Sequence, residues 1–245
     1  FLGLAAPRDI RMTNAFLVAA VAVFAAGMVQ GCTGFGLALV ASPLLMLVFP
    51  AASVVPTVIL MSTLNTLLVA WESRRHLLPR VLVLLVAGSC LGLPIGTYLL
   101  RTVPGEYLKV VVGCVAVAFA LSSLRGFKHP VKKEKWLLTP IGVLCGILGA
   151  STSMGGPPLA LFLANQDYPK EKFRCTLIFY FLCTNCIAVA IFIYSGVLTP
   201  TIFRESLLLF PIMLAGTLVG IGVARWSPEE IFRRYVLFVV ATMGC

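Results

Sequence analysis

A chain of 245 residues that is 60% hydrophobic and only 11% charged, with a mean hydropathy of +1.01, cannot hide its apolar surface in one water-soluble core. The net charge of +10 does not point to nucleic acid, because the basic residues are scattered among loops between apolar runs, where they report membrane topology. Composition therefore excludes a soluble domain and predicts an all-α, polytopic integral membrane protein, one transmembrane domain over residues 1–245 with lipid around it.

The apolar runs in chain order are Ala15 to Val29, Leu37 to Phe49, Val54 to Trp71, Val81 to Leu100, Leu108 to Leu124, Trp136 to Leu148, Leu159 to Ala164, Leu177 to Tyr194, Leu207 to Ala224 and Tyr235 to Met243. Some match the roughly 20 residues that cross a hydrocarbon core and others are half that length, so about eight to ten membrane segments are expected, whole and broken helices together. Ala15 to Val29 is not followed by a soluble mature chain and is read as a membrane segment, not a cleaved signal peptide.

The first run is interrupted at "GMVQGCTGFGLALVASPLL", Gly27 to Leu45. Its bend, "QGCTGFG", offers Gln30, Thr33, Gly34 and Gly36 as substrate-binding candidates, with glycines that let backbone approach a ligand. Asn65, flanked by Thr63 and Thr66, is a polar residue inside the next span. The longest polar gap, "RGFKHPVKKEKW" from Arg125 to Trp136, is only a loop and makes residues 125–135 a cytoplasmic linker. Beyond it a second interruption, "GASTSMGGPPLALFLANQD", runs from Gly149 to Asp167 and adds Ser151, Thr152, Ser153, Gly155 and Gly156 as candidates. Asn185, next to Thr184, then repeats the placing of Asn65.

These features recur because the chain is duplicated. Gly27 corresponds to Gly146, Thr33 to Thr152 and Asn65 to Asn185, while "GLPIGTYLLRTVPGE" aligns with "GTLVGIGVARWSPEE", pairing Gly92 with Gly216, Gly96 with Gly220 and Arg101 with Arg225. Two homologous halves follow, about residues 13–125 and 136–245, an architecture common in secondary transporters. If each broken stretch returns to its starting side, the halves are inverted and 14 of the 19 Lys and Arg residues lie inside; if it crosses once, the halves are parallel and 11 do. The charge bias favours an inverted repeat with re-entrant helices, its bends meeting near the midplane. Backbone freed from helical pairing must face protein or a water-filled cavity there.

In both bends a helix restarts, so N–H groups and the positive end of a helix dipole are expected to face the cavity, which suits a small anion. The spans hold almost no ionisable residues, which favours a compact oxyanion held by neutral donors and released readily. Each hydroxyl or Asn taken singly serves equally to pack helices; two duplicated breaks together are more than packing requires. Pro43, Pro94 and Pro211 read as kinks, and Arg101 and Arg225 as anchors at the membrane edge. The eight cysteines lie mostly in apolar runs as small hydrophobes, and Cys183 with Cys186 forms a lone C-x-x-C without a second pair. No metal site, cofactor or disulfide framework is expected.

The paired breaks "GCTGFGLALVASPLL" and "GASTSMGGPPLALFL", with "GSCLGLPIGTYLL" and "MLAGTLVGIGVAR" closing each half, resemble the TauE/SafE family of sulfite and organosulfonate exporters over nearly the whole chain. The resemblance implies a permease, not an enzyme, moving sulfite, sulfoacetate or a related sulfur-containing anion across a bacterial inner (plasma) membrane. Two other classes compete. An intramembrane hydrolase using Ser151 needs a general base within reach, and the only histidines, His76 and His129, fall in loops. A non-transporting scaffold has no soluble interaction domain to support it. Energy coupling is not visible, since no span contains an obvious Asp, Glu or His relay.

Overall fold

The protein is described by a computed structural model over residues 8–33, 36–70, 78–125, 134–166 and 169–226. Within them the chain forms nine helices and no strand: α1 (Arg8–Thr33), α2 (Leu37–Met46), α3 (Ala51–Ala70), α4 (Pro79–Thr102), α5 (Gly105–Arg125), α6 (Glu134–Thr152), α7 (Gly156–Ala164), α8 (Lys170–Tyr194) and α9 (Pro200–Trp226). The expected segment Tyr235 to Met243 and most of the 125–135 linker lie outside the described residues.

The fold is all-α and polytopic. Four of the described helices contain a stretch long and apolar enough to cross a membrane, namely Ala51–Leu68, Pro79–Thr102, Glu171–Tyr194 and Pro200–Val223. By contrast α2 has 10 residues and α7 has 9, which at 1.5 Å per residue is about half of a hydrocarbon core. The half-length runs of the sequence are thus separate short helices, each following a break.

Small residues weld the helices together. On α4, a Cβ added at Gly88, Gly92 or Gly96 would overlap the carbonyl oxygens of Thr139, Val143 and Ile147 on α6. Both series advance by four residues together, so α4 and α6 run parallel with their backbones touching. The same seam joins α1 to α9, where Gly27 and Gly31 abut the Met213 and Thr217 carbonyls while Gly216 and Gly220 abut those of Phe24 and Met28. Lipid tails are as apolar as leucine, so such helices associate through close packing of small residues.

The two seams are images of each other. The correspondences that pair Gly27 with Gly146 and Gly92 with Gly216 carry Gly216–Phe24 onto Gly92–Val143, Gly220–Met28 onto Gly96–Ile147, and Gly27–Met213 onto Gly146–Ser89. Each seam joins the first helix of one half to a late helix of the other.

The apolar clusters give helix direction. Val81 and Leu85 near the start of α4, Leu138 near the start of α6, Leu159 and Leu163 in α7, and Leu177 and Tyr180 in the first half of α8 share one buried cluster. The end of α7 therefore returns beside the start of α6. A second cluster joins Leu100 at the end of α4, the first half of α3 and Ala188 with Phe192 near the end of α8. Accordingly α8 runs with α4 and against α3. α3 and α8 carry Asn65 and Asn185, the two residues that the expected inverted repeat pairs.

Candidate functional site

The first break is set by glycine. α1 stops at Thr33, and Gly36 precedes α2 with φ 108°, a left-handed conformation that glycine adopts without a Cβ clash. No side chain caps α2, so the amides of Leu37, Ala38 and Leu39 open its positive end.

The second break is built differently. α6 ends at Thr152, and Ser153 takes φ 59°, the one non-glycine residue with positive φ among those described. That conformation costs about 1–2 kcal/mol. It is held by the Ser153 N–H donating to the Gly149 carbonyl at 2.8 Å, by the Ser153 hydroxyl donating to the Thr152 carbonyl, and by a hydroxyl contact with Ser42 of α2. Gly155 then packs on the Cys145 and Gly149 backbone, folding the chain back along α6.

α7 opens with Gly156, Pro157 and Pro158. The prolines preset the helix but carry no N–H, and the Leu159 backbone engages the Cys145 thiol. The expectation of a donor-rich helix start therefore fits α2 better than α7.

The two breaks meet at a cavity of about 50 Å³. Gln30, Gly36 and the first turn of α2 line it from one break, and Gly149, Ser153, Gly155 and Gly156 from the other; Ser62 of α3 and Tyr180, Thr184 and Asn185 of α8 complete its polar wall. None of the lining residues is charged. Asn185 Nδ2 donates to Ser62 Oγ at 3.1 Å, which leaves its second N–H. Thr184 donates to the Tyr180 carbonyl at 2.8 Å, and the Tyr180 hydroxyl lies 2.7 Å from Ser89 Oγ.

Of the candidates read from the sequence, Gln30, Gly36, Ser153, Gly155, Gly156 and Asn185 come together at this cavity. Ser151 and Thr152 instead face back into α6, donating to the Ile147 and Leu148 carbonyls at 2.7 Å each. Thr152 also accepts from the Met154 N–H at 3.4 Å. Asn65 turns toward α9 and donates to Thr217 Oγ1 at 3.2 Å. Thr33 is the last residue of α1, and Gly34 lies outside the described residues, as do His76 and His129.

Sequence reasoning did not select Ser62 or Tyr180. Ser62 has no signal before its pairing with Asn185 is known, whereas a tyrosine in mid-span, whose hydroxyl needs a partner, was a usable hint. Among the described residues no group of three or more His, Cys, Asp or Glu side chains gathers to hold a metal.

Compared with protein-family models, residues 19–245 match the family described as Sulfite exporter TauE/SafE. No curated protein and no solved structure matches the chain.

Proposed function

The chain belongs to the sulfite exporter TauE/SafE family, whose members are membrane transporters of sulfite-type anions, and we propose that this protein moves sulfite itself, held where its two helix breaks meet. The observation that carries the proposal is an uncharged cavity lined by both breaks at once. An anion there meets the amides that open α2, the free N–H of Asn185 and the backbone of Gly155 and Gly156. These are dipolar donors at the positive end of a helix, suited to anions. With no Lys or Arg to form an ion pair, binding is weak enough for release on each transport cycle.

The proposed site comprises Gln30, Thr33, Gly34, Gly36, Ser153, Gly155, Gly156 and Asn185, with Asn65, Ser151 and Thr152 holding its frame. Size supports the compact sulfite ion over the longer sulfoacetate. A buried water needs about 10–15 Å³ by the comparable measure, so about 50 Å³ admits a group of a few heavy atoms. We place the loops near Arg74 and Lys170 in the cytoplasm, on the Lys and Arg bias, and the protein in a bacterial inner membrane.

Flux measured in proteoliposomes with sulfite, thiosulfate, sulfoacetate and sulfate in parallel tests the reading. Sulfite is expected to move fastest and sulfoacetate slowly. Rapid movement of sulfoacetate with no sulfite flux would remove the proposed substrate.

A further inference from the structure

The charge that the cavity can hold is limited by what surrounds it. None of its lining residues is charged, so only dipoles answer an ion that enters. The starts of α2 and α7 border the cavity through Gly36 and Leu37 and through Gly156 and Pro157, and a helix start carries about half a positive charge. Against them stand the ends of α1 at Thr33 and of α6 at Thr152, which carry the opposite sign at the same two breaks. These fixed dipoles balance at most one negative charge.

The wall also contains an acceptor that a bare oxyanion cannot satisfy. Thr184 lines the cavity and is 5% exposed, and its single hydroxyl proton is given to the Tyr180 carbonyl at 2.8 Å. Toward the cavity Thr184 Oγ1 therefore offers only lone pairs. Its neighbour Asn185 also lines the cavity and has one N–H left after donating to Ser62. A donor and an acceptor thus stand side by side on α8. A fully ionised oxyanion has acceptors alone, and Thr184 would face it lone pair to lone pair.

We infer that the ion taken up here is hydrogen sulfite, the singly protonated form, with its O–H donating to Thr184 Oγ1. The inference rests on the transport reading above and names the ionic form carried. The cost of taking an ion out of water rises with the square of its charge, so the dianion costs about four times as much to bury as the monoanion. Sulfite's second ionisation falls near neutral pH, so both forms are available for selection. Each hydrogen sulfite brings one proton across with it. Among the lining residues the titratable side chains are Cys145 of α6 and Tyr180 of α8, and those from α1, α2, α3, α4 and α7 include none. The wall has no carboxylate or imidazole to carry the proton, which leaves it on the ion.

The test follows sulfite uptake into proteoliposomes that enclose a pH-sensitive dye, with protein-free vesicles as the baseline for leakage. Entering hydrogen sulfite releases protons and acidifies the lumen, whereas the entering dianion binds protons and makes it alkaline. The expected result is acidification, with uptake at fixed total sulfite falling about tenfold per pH unit above the second ionisation. Methanesulfonate, a permanent monoanion, should compete with sulfite, and sulfate, a dianion of similar size, should not. Thr184→Val should weaken sulfite binding about tenfold and leave binding of methanesulfonate, which has no proton to give, unchanged. Alkalinisation, or competition by sulfate equal to that by methanesulfonate, overturns the inference and leaves sulfite transport standing. So does a Thr184→Val protein that binds sulfite as the wild type does. A pH dependence abolished by Cys145→Ala or Tyr180→Phe belongs to the protein and also overturns it. If no sulfite enters above the baseline at any pH, the transport reading fails, and calorimetric titration of the purified protein decides the ionic form. Methanesulfonate binding without sulfate binding then supports the monoanion, and any other result overturns it.

Discussion

The hydroxyls of Ser42 on α2 and of Ser153, just past the end of α6, share a buried hydrogen bond between residues 111 positions apart. It ties the short helix of one break to the strained residue of the other, so the shape of the cavity depends on both halves together. Ser42→Ala and Ser153→Ala should each destabilise the fold, and the double variant should cost about 1 kcal/mol less than the sum of the two. Thermal denaturation of the four proteins in detergent measures this coupling. Strict additivity shows that the two breaks do not share the bond.

The mirrored glycine seams predict mirrored sensitivity. Gly92→Ala and Gly216→Ala each drive a methyl group into a carbonyl oxygen of the partner helix, Val143 in one case and Phe24 in the other. Each should destabilise the protein by about 1–3 kcal/mol, the range for overpacking a tight interior. Gly113→Ala, with nothing within 4 Å of the added carbon, should change stability by less than about 1 kcal/mol, the scale of glycine's helix penalty. Unfolding midpoints compared across the three variants decide the point. A seam in which both substitutions are silent is not a close contact.

Substrate contacts and frame residues should separate in binding measurements. Asn185→Leu removes a cavity-lining donor and should weaken sulfite binding by about 1.5–3 kcal/mol, as for a hydrogen bond to a charged group. Thr152→Val acts elsewhere: it strands the Met154 N–H that the Thr152 hydroxyl accepts, which should cost about 1–3 kcal/mol of stability with little change in sulfite affinity. Thr152→Ser, which keeps the hydroxyl, should restore the lost stability. Sulfite titration and melting of the same samples distinguish the effects, and a Thr152→Val protein of normal stability and impaired affinity assigns Thr152 to the site after all.

The proposed orientation in the membrane rests on the Lys and Arg bias of the loops. Single cysteines introduced by Ser73→Cys and Glu171→Cys, in a background lacking the native thiols, should label from the same face with an impermeant maleimide, and that face should be cytoplasmic. Labelling from opposite faces identifies parallel halves.

The sequence by itself determined the membrane class and the two helix breaks, because each rests on a local property. Hydropathy needs only a window of neighbours, and glycine or proline acts on the backbone where it stands. The loss of donors at Pro157 and Pro158 was legible on the same grounds, since a residue without an N–H cannot present one. Tertiary structure alone decided which polar side chains share the cavity. Ser153 lies past the end of α6 with a left-handed backbone that turns it into the cavity wall, while Thr152, the last residue of the helix, bonds back to Leu148. The same limit separates the two asparagines, alike in sequence. Asn185 lines the cavity with Ser62, while Asn65 is turned to Thr217 on α9. Which partner each meets depends on how the glycine seams set one helix against another, a long-range outcome carried by no single stretch of chain.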